Sequence, residues 1–231
     1  MSNAARPAFY ALRPGSWRDY VTLLHPPYTL WHLSYVALGA ALAPRMQWGL
    51  LGWTTLAFLL AMGVGAHALD ELQGRPLRTR IPDAVLLGLA AGSIAAACAI
   101  GVVVATGSTL WLLAFVAAGA FVVVAYNLEL LGGALHTDAW FAGAWGAFPV
   151  LTAYFASAER IRAEAVAAAA FAFLVSLAQR RLSTEARRIR RTGGELPADA
   201  EVLLRGPEAA LRLLSVALPL LAGALLLGRV G

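Results

Sequence analysis

The chain has 231 residues, of which 60% are hydrophobic and only 13% charged, with a mean hydropathy of +0.69. A soluble domain carries about a quarter of its residues as charged side chains, so this composition excludes an ordinary water-soluble fold. The net charge of +5 comes from 18 basic residues that are all Arg. In a chain this apolar, positive charge gathered on one side of a membrane accounts for that excess, and no nucleic-acid partner is expected.

Residues 1–27 read as a tail with a short interfacial piece, Trp17 to Leu24, closed by His25-Pro26-Pro27. They have no continuous apolar core, so no cleavable signal is expected. His25 and His32 read as hydrogen-bonded interfacial anchors. Residues 28–231 read as a transmembrane helical domain with about seven spans, several of them near the 20 residues needed to cross hydrocarbon. The spans run Tyr28 to Leu42, Trp48 to Leu72, Asp83 to Ala105, Thr109 to Leu131, Asp138 to Ala156, Glu164 to Arg191 and Glu208 to Leu227. The sixth continues into a basic extension, about 179–206, that Gly193-Gly194 interrupts. Asp83 and Asp138 read as helix N-caps. Cys98 stands alone in a small-residue run, so an intrachain disulfide is excluded.

Alternating sides along seven spans sorts the Arg residues into 14 on the N-terminal side and four (Arg45, Arg160, Arg162, Arg229) on the other. That bias predicts an integral protein of a prokaryotic cytoplasmic membrane with its N-terminus in the cytoplasm.

Three span exits on the Arg-rich side carry polar residues. The exit of the second reads His67-Ala68-Leu69-Asp70-Glu71, followed by Arg75, Arg78, Thr79 and Arg80. His67, Asp70 and Glu71 stand at i, i+3 and i+4, the spacing of one helical face. Acids at the membrane end of a span are costly and read as a site, here a metal or general-base site. The fourth span ends with Tyr126 and Glu129 at i, i+3, and His136 follows in the loop. Glu129 reads either as a site carboxylate or as the partner of an Arg from the sixth span. The sixth exit carries Gln179, Ser183 and Arg187 along one stripe and Arg180 and Thr184 along its neighbour, with Arg181 beside them. Guanidinium and hydroxyl groups so arrayed suit either a diphosphate or anionic lipid headgroups.

Leu24-His25-Pro26-Pro27-Tyr28-Thr29 before a Gly/Ala-rich span, Asp70 at the second exit, the following Arg78-Thr79-Arg80-Ile81-Pro82, and Tyr126 at the fourth exit resemble the UbiA superfamily of intramembrane prenyltransferases. The resemblance covers roughly 23–191. It implies an all-α polytopic bundle in which acids hold Mg²⁺ against an isoprenoid diphosphate, Arg residues bind the diphosphate, and the lipid tail lies among the helices. The first aspartate motif is reduced: Ala66, His67 and Gly74 stand where that family has Asn or Asp, and the sixth exit has one acid, Glu185, amid Arg. The implied reaction is transfer or processing of a prenyl group at a reduced site. Asp70, Glu71 and His67 would hold Mg²⁺; His67, Asp70, Glu71 and Glu129 would act in catalysis; Arg75, Arg78, Thr79, Tyr126, Gln179, Arg180 and Arg181 would bind substrate. Two alternatives stay open on the residues. One is an intramembrane enzyme using Zn or Fe on His67, Asp70, Glu71, Glu129 and His136; the other is a non-catalytic membrane or lipid-binding subunit.

Overall fold

A computed structural model describes residues 6–191 and 200–230, and these residues form helices and loops without a strand. A short interfacial helix, α1 (Trp17–Leu23), precedes α2 (Pro26–Leu42), which begins with two prolines suited to a first helical turn. Next comes a continuous rod, Trp48–Leu72, made of α3 (Trp48–Phe58), a π-helical stretch (Leu59–Ala66) and α4 (His67–Leu72). After a loop come α5 (Asp83–Gly107) and α6 (Leu112–Asn127). A second interrupted rod holds α7 (Asp138–Phe141), a π-helical stretch (Ala142–Ala147) and α8 (Phe148–Ala158). The chain closes with α9 (Ala163–Arg191) and α10 (Ala200–Leu227).

Among the described residues, four helices are long and apolar enough to cross a membrane: Trp48–Leu72, Asp83–Gly107, Ala163–Arg190 and Val202–Leu227. Their apolar side chains face outward as much as inward. Leu87 and Val103 on α5 and Leu213 and Leu220 on α10 are all exposed, the surface a hydrocarbon solvent permits and water does not.

Close helix approach depends on glycine at two points. A Cβ on Gly39 of α2 would collide with the Val150 carbonyl of α8, and one on Gly146 would lie 2.5 Å from the Ala172 carbonyl of α9. One apolar core joins α2, α8, α9 and α10 through Trp31, Tyr35, Val150, Ala172 and Leu218. A second joins the rod 48–72 to α5 and α6 through Met62, Leu69, Leu86, Val123 and Tyr126, with Trp145 between the two halves. At the far end, the Arg229 guanidinium donates to the Ala41 carbonyl at 2.7 Å and to that of Ala43, closing the C-terminus of α2.

Several boundaries differ from the sequence expectation. The fourth span stops at Asn127, and Glu129 lies beyond it in a turn with a left-handed backbone (φ +49°). The last helix starts at Ala200 and runs through Pro207. Thr137, not Asp138, caps α7, accepting from the Trp140 N–H at 3.2 Å, and Pro82 rather than Asp83 precedes α5. The expected break at Gly193-Gly194 lies outside the described residues.

Candidate functional site

The exits of the rod 48–72, of α6 and of α9 meet the start of α2 around one polar cavity of about 660 Å³. Residues 7–10 of the N-terminal segment form part of its wall. Trp145 separates this cavity from an apolar crevice of about 120 Å³ between α3, α5, α6 and α8, lined by Phe58, Ile94, Val116, Val123 and Phe148. A polar chamber and an apolar slot thus share one indole wall.

The two π-helical stretches aim the chamber's side chains. A π turn inserts a residue into the α-helical repeat and rotates everything after it. In the rod 48–72 it occurs just before His67, and Gly63 and Gly65 let the widened turn settle against Thr29 and Ile94. His67 Nδ1–H donates to the Gly63 carbonyl at 3.0 Å, which fixes the tautomer and leaves Nε2 with its lone pair. The imidazole of His25 stacks on His67 at 4.0 Å and 13°, held there by the left-handed backbone of His25 (φ +46°) at the start of α2. Burial pushes His25 well below the ordinary histidine value of 6.5, and neighbouring His67 and Arg187 add to the effect. Burial likewise raises the Tyr10 phenol, so both groups enter the wall neutral.

On the opposite side, α9 supplies Gln179, Arg180 and Arg187. Arg180 is fixed from three directions. Asp138 Oδ1 lies 3.4 Å from its Nε, His136 Nε2 accepts at 3.2 Å, and the Phe141 ring lies 5.5 Å below it. His136 takes that acceptor role because its Nδ1–H donates to the Tyr126 carbonyl at 3.0 Å. Arg187 hydrogen-bonds to the Ser183 carbonyl and the Thr184 hydroxyl, and no carboxylate lies within ion-pair distance of it among the described residues. Arg188 is paired with Glu185 and Arg190 with Glu208. Three buried polar atoms of the chamber wall lack a hydrogen-bond partner: His25 Nε2, Tyr126 Oη and Gln179 Oε1. Gln179 is 2% exposed and Tyr126 5%, so these are groups a bound molecule would satisfy.

The structure therefore gathers His67, Asp70, Tyr126, Glu129, Gln179 and Arg180 around one chamber. It places the other nominated residues elsewhere. Glu71, fully buried, turns away from Asp70: its Oε2 accepts from the Leu77 N–H at 2.9 Å and its Oε1 from the Thr79 N–H and hydroxyl at 2.8 Å. That carboxylate locks the loop after α4 with three accepted hydrogen bonds and is not part of the chamber wall. Thr79 belongs to the same lock. Arg75 ties the loop to itself, donating to the Ile81 carbonyl at 2.5 Å and pairing with Asp83. Arg78 and Arg181 are exposed and off the chamber wall. Glu129 is exposed too, 3.9 Å from His136, and does not pair with Arg180; Asp138 holds that position.

Arg187, His25, His32 and Tyr28 are chamber residues that the sequence reading left out of its site. The stripe Gln179, Ser183, Arg187 was the available signal for the first. His32, read as an interfacial anchor, is instead buried, with Nδ1–H donating to the Trp145 carbonyl at 2.8 Å.

Compared with known protein families, curated proteins and solved structures, the chain matches none of them.

The donor set can be weighed against the expected metals. With Glu71 withdrawn, Asp70 is the one acid left of the three-residue set expected to hold Mg²⁺, and an ion held by one carboxylate takes its other ligands from water or a bound phosphate. Among the described residues, no three His, Cys, Asp or Glu side chains converge as metal ligands. The Zn or Fe set fares no better, because His136 has both ring nitrogens engaged. Asp70 and the guanidinium groups of Arg180 and Arg187 line the same chamber, and guanidinium groups suit an anion.

Proposed function

We propose that this protein is a seven-span, UbiA-like enzyme of a prokaryotic cytoplasmic membrane that transfers a prenyl group from an isoprenoid diphosphate, with guanidinium groups in the place of metal. One observation carries the reading: Arg187, with no carboxylate at ion-pair distance among the described residues, and Arg180 face a chamber that shares the Trp145 wall with an apolar slot. A diphosphate head and an isoprenoid tail match those two compartments in charge and polarity.

In this reading Arg180 and Arg187 take the diphosphate oxygens. As the allylic C–O bond breaks, its electron pair leaves on the diphosphate, and the two guanidiniums stabilise the charge that builds there. The Tyr126 hydroxyl, which has no partner of its own, can donate to the same group. Trp145 and Phe141, stacked at 5.6 Å, stand at the chamber–slot boundary where the allylic cation forms, and an aromatic face stabilises a cation.

Binding of labelled geranylgeranyl diphosphate to detergent-purified protein tests the reading, with and without Mg²⁺. Saturable binding that survives chelation and drops in Arg187→Gln supports it. No binding under either condition refutes it.

A further inference from the structure

Independently of the diphosphate reading, we propose that α1 and the loop after α4 form a binding site for the headgroup of an anionic phospholipid. The two faces of α1 differ in kind. Asp19, Thr22 and Leu23 are buried, whereas Trp17 and Tyr20 are 62% and 43% exposed, with Val21 and Leu24 half-buried beside them. Positions 17, 20, 21 and 24 follow i, i+3, i+4 and i+7, so this aromatic and aliphatic stripe lies opposite the buried face. Amphipathic rings on the open side of a short helix suit the headgroup region of a bilayer.

Asp19 ties α1 to a second segment. Its Oδ1 accepts from the Gly15 N–H at 2.9 Å and its Oδ2 from the Arg80 N–H at 3.0 Å. One buried carboxylate thus draws the residues before α1 against the loop that enters α5. On α5, Leu87 is exposed and stands about 6 Å along the axis from Asp83, the first helical residue. The joined helix and loop therefore stand where outward apolar surface begins.

That junction brings Arg13 and Arg18 from one segment to Arg78 and Arg80 from the other, all exposed. None of the four has a carboxylate within ion-pair distance among the described residues. Both oxygens of Asp19 are engaged by backbone N–H groups, and Asp83 pairs with Arg75. The Arg18 guanidinium lies 5.8 Å over the Trp17 ring, which places a cation against an interfacial indole. The matching partner carries an anionic phosphate joined to an apolar chain, which is an acidic phospholipid and not a free phosphate.

Native mass spectrometry of the detergent-purified chain, with no prenyl diphosphate present, tests the site by titration with phosphatidylglycerol, phosphatidylcholine and inorganic phosphate. The expected result is saturable phosphatidylglycerol binding that phosphatidylcholine does not match and equimolar phosphate does not displace. Arg18→Gln and Arg80→Gln should each weaken it about fivefold and the double variant about 25-fold, the worth of one and two Arg residues near an anionic surface. Arg18→Lys keeps the charge and should stay within about twofold of wild type. Arg181→Gln removes an exposed Arg outside the junction and should bind as the wild type does. Equal binding of the two lipids, displacement by phosphate, wild-type binding by the double variant, or an equal loss in Arg181→Gln each overturns the site.

Discussion

Substituting Glu71 by Gln separates the role the structure gives this acid from the metal-binding role its position beside Asp70 invites. In the native loop, one carboxylate oxygen takes two donors from Thr79 and the other takes the Leu77 N–H. The amide of Gln keeps the shape and can keep both Thr79 bonds through its carbonyl. Its NH₂ then meets the Leu77 N–H, donor against donor, inside a site with no exposure to water. A lost hydrogen bond to a charged group is worth about 1.5–3 kcal/mol, and a buried donor left unsatisfied costs about 1–3 kcal/mol. Because these overlap, the net loss is about 2–4 kcal/mol, or roughly 4–16 °C in melting temperature for a chain of this size. Thermal unfolding in detergent measures it, with Asp70→Asn as the neighbouring control, expected to melt within about 2 °C of wild type because no described residue bonds to that carboxylate. A Glu71/Thr79→Val cycle should give coupling of about 0.5–3 kcal/mol. Glu71→Gln melting with the wild type, or losing stability only when Mg²⁺ is removed, would refute the loop-lock argument.

Arg187→Gln should weaken prenyl diphosphate binding by about 10–150-fold, the worth of one charge-assisted contact. Arg181→Gln, exposed and off the chamber wall, should leave binding unchanged in the same assay. Gly146→Val should lower stability by about 1–3 kcal/mol and impair binding together, since its side chain would push the π-helical stretch away from Ala172 and Ser176. Glu208→Gln should cost about 3–5 kcal/mol by breaking the buried pair with Arg190. For pH, His25 is held neutral in the fold with its value depressed below 6.5. The unfolded chain then binds the extra proton first as pH falls, so stability is full above about 6.5 and declines below it, by at most about 1.4 kcal/mol per pH unit. Melting curves from pH 7.5 to 5 should show that decline, and His25→Gln should reduce its slope.

Much of the chamber was legible at the level of neighbourhoods. Polar residues at the ends of three apolar stretches cannot all be membrane anchors, and the exits that carry His67, Asp70, Tyr126, Gln179 and Arg180 do meet. What could not be read was which of two adjacent residues faces inward. Asp70 and Glu71 are consecutive acids, about 100° apart on a helix, and only the packing of the loop around Glu71 tells them apart. Arg75, Arg78 and Arg181 look equal to Arg180 and Arg187 in a list of cations, yet loop bonds or solvent claim them.

Composition, apolar run lengths and the punctuation by Gly and Pro were enough to determine an all-helical chain with long apolar helices, because those properties act locally along the chain. The phase of each helix was decided by tertiary structure. The π turns at Leu59–Ala66 and Ala142–Ala147, and the glycine contacts at Gly39 and Gly146, depend on what packs against each helix rather than on its own residues. They rotate His67 and Asp70 toward Arg180 and Arg187, and that rotation makes separate polar helix ends into one chamber.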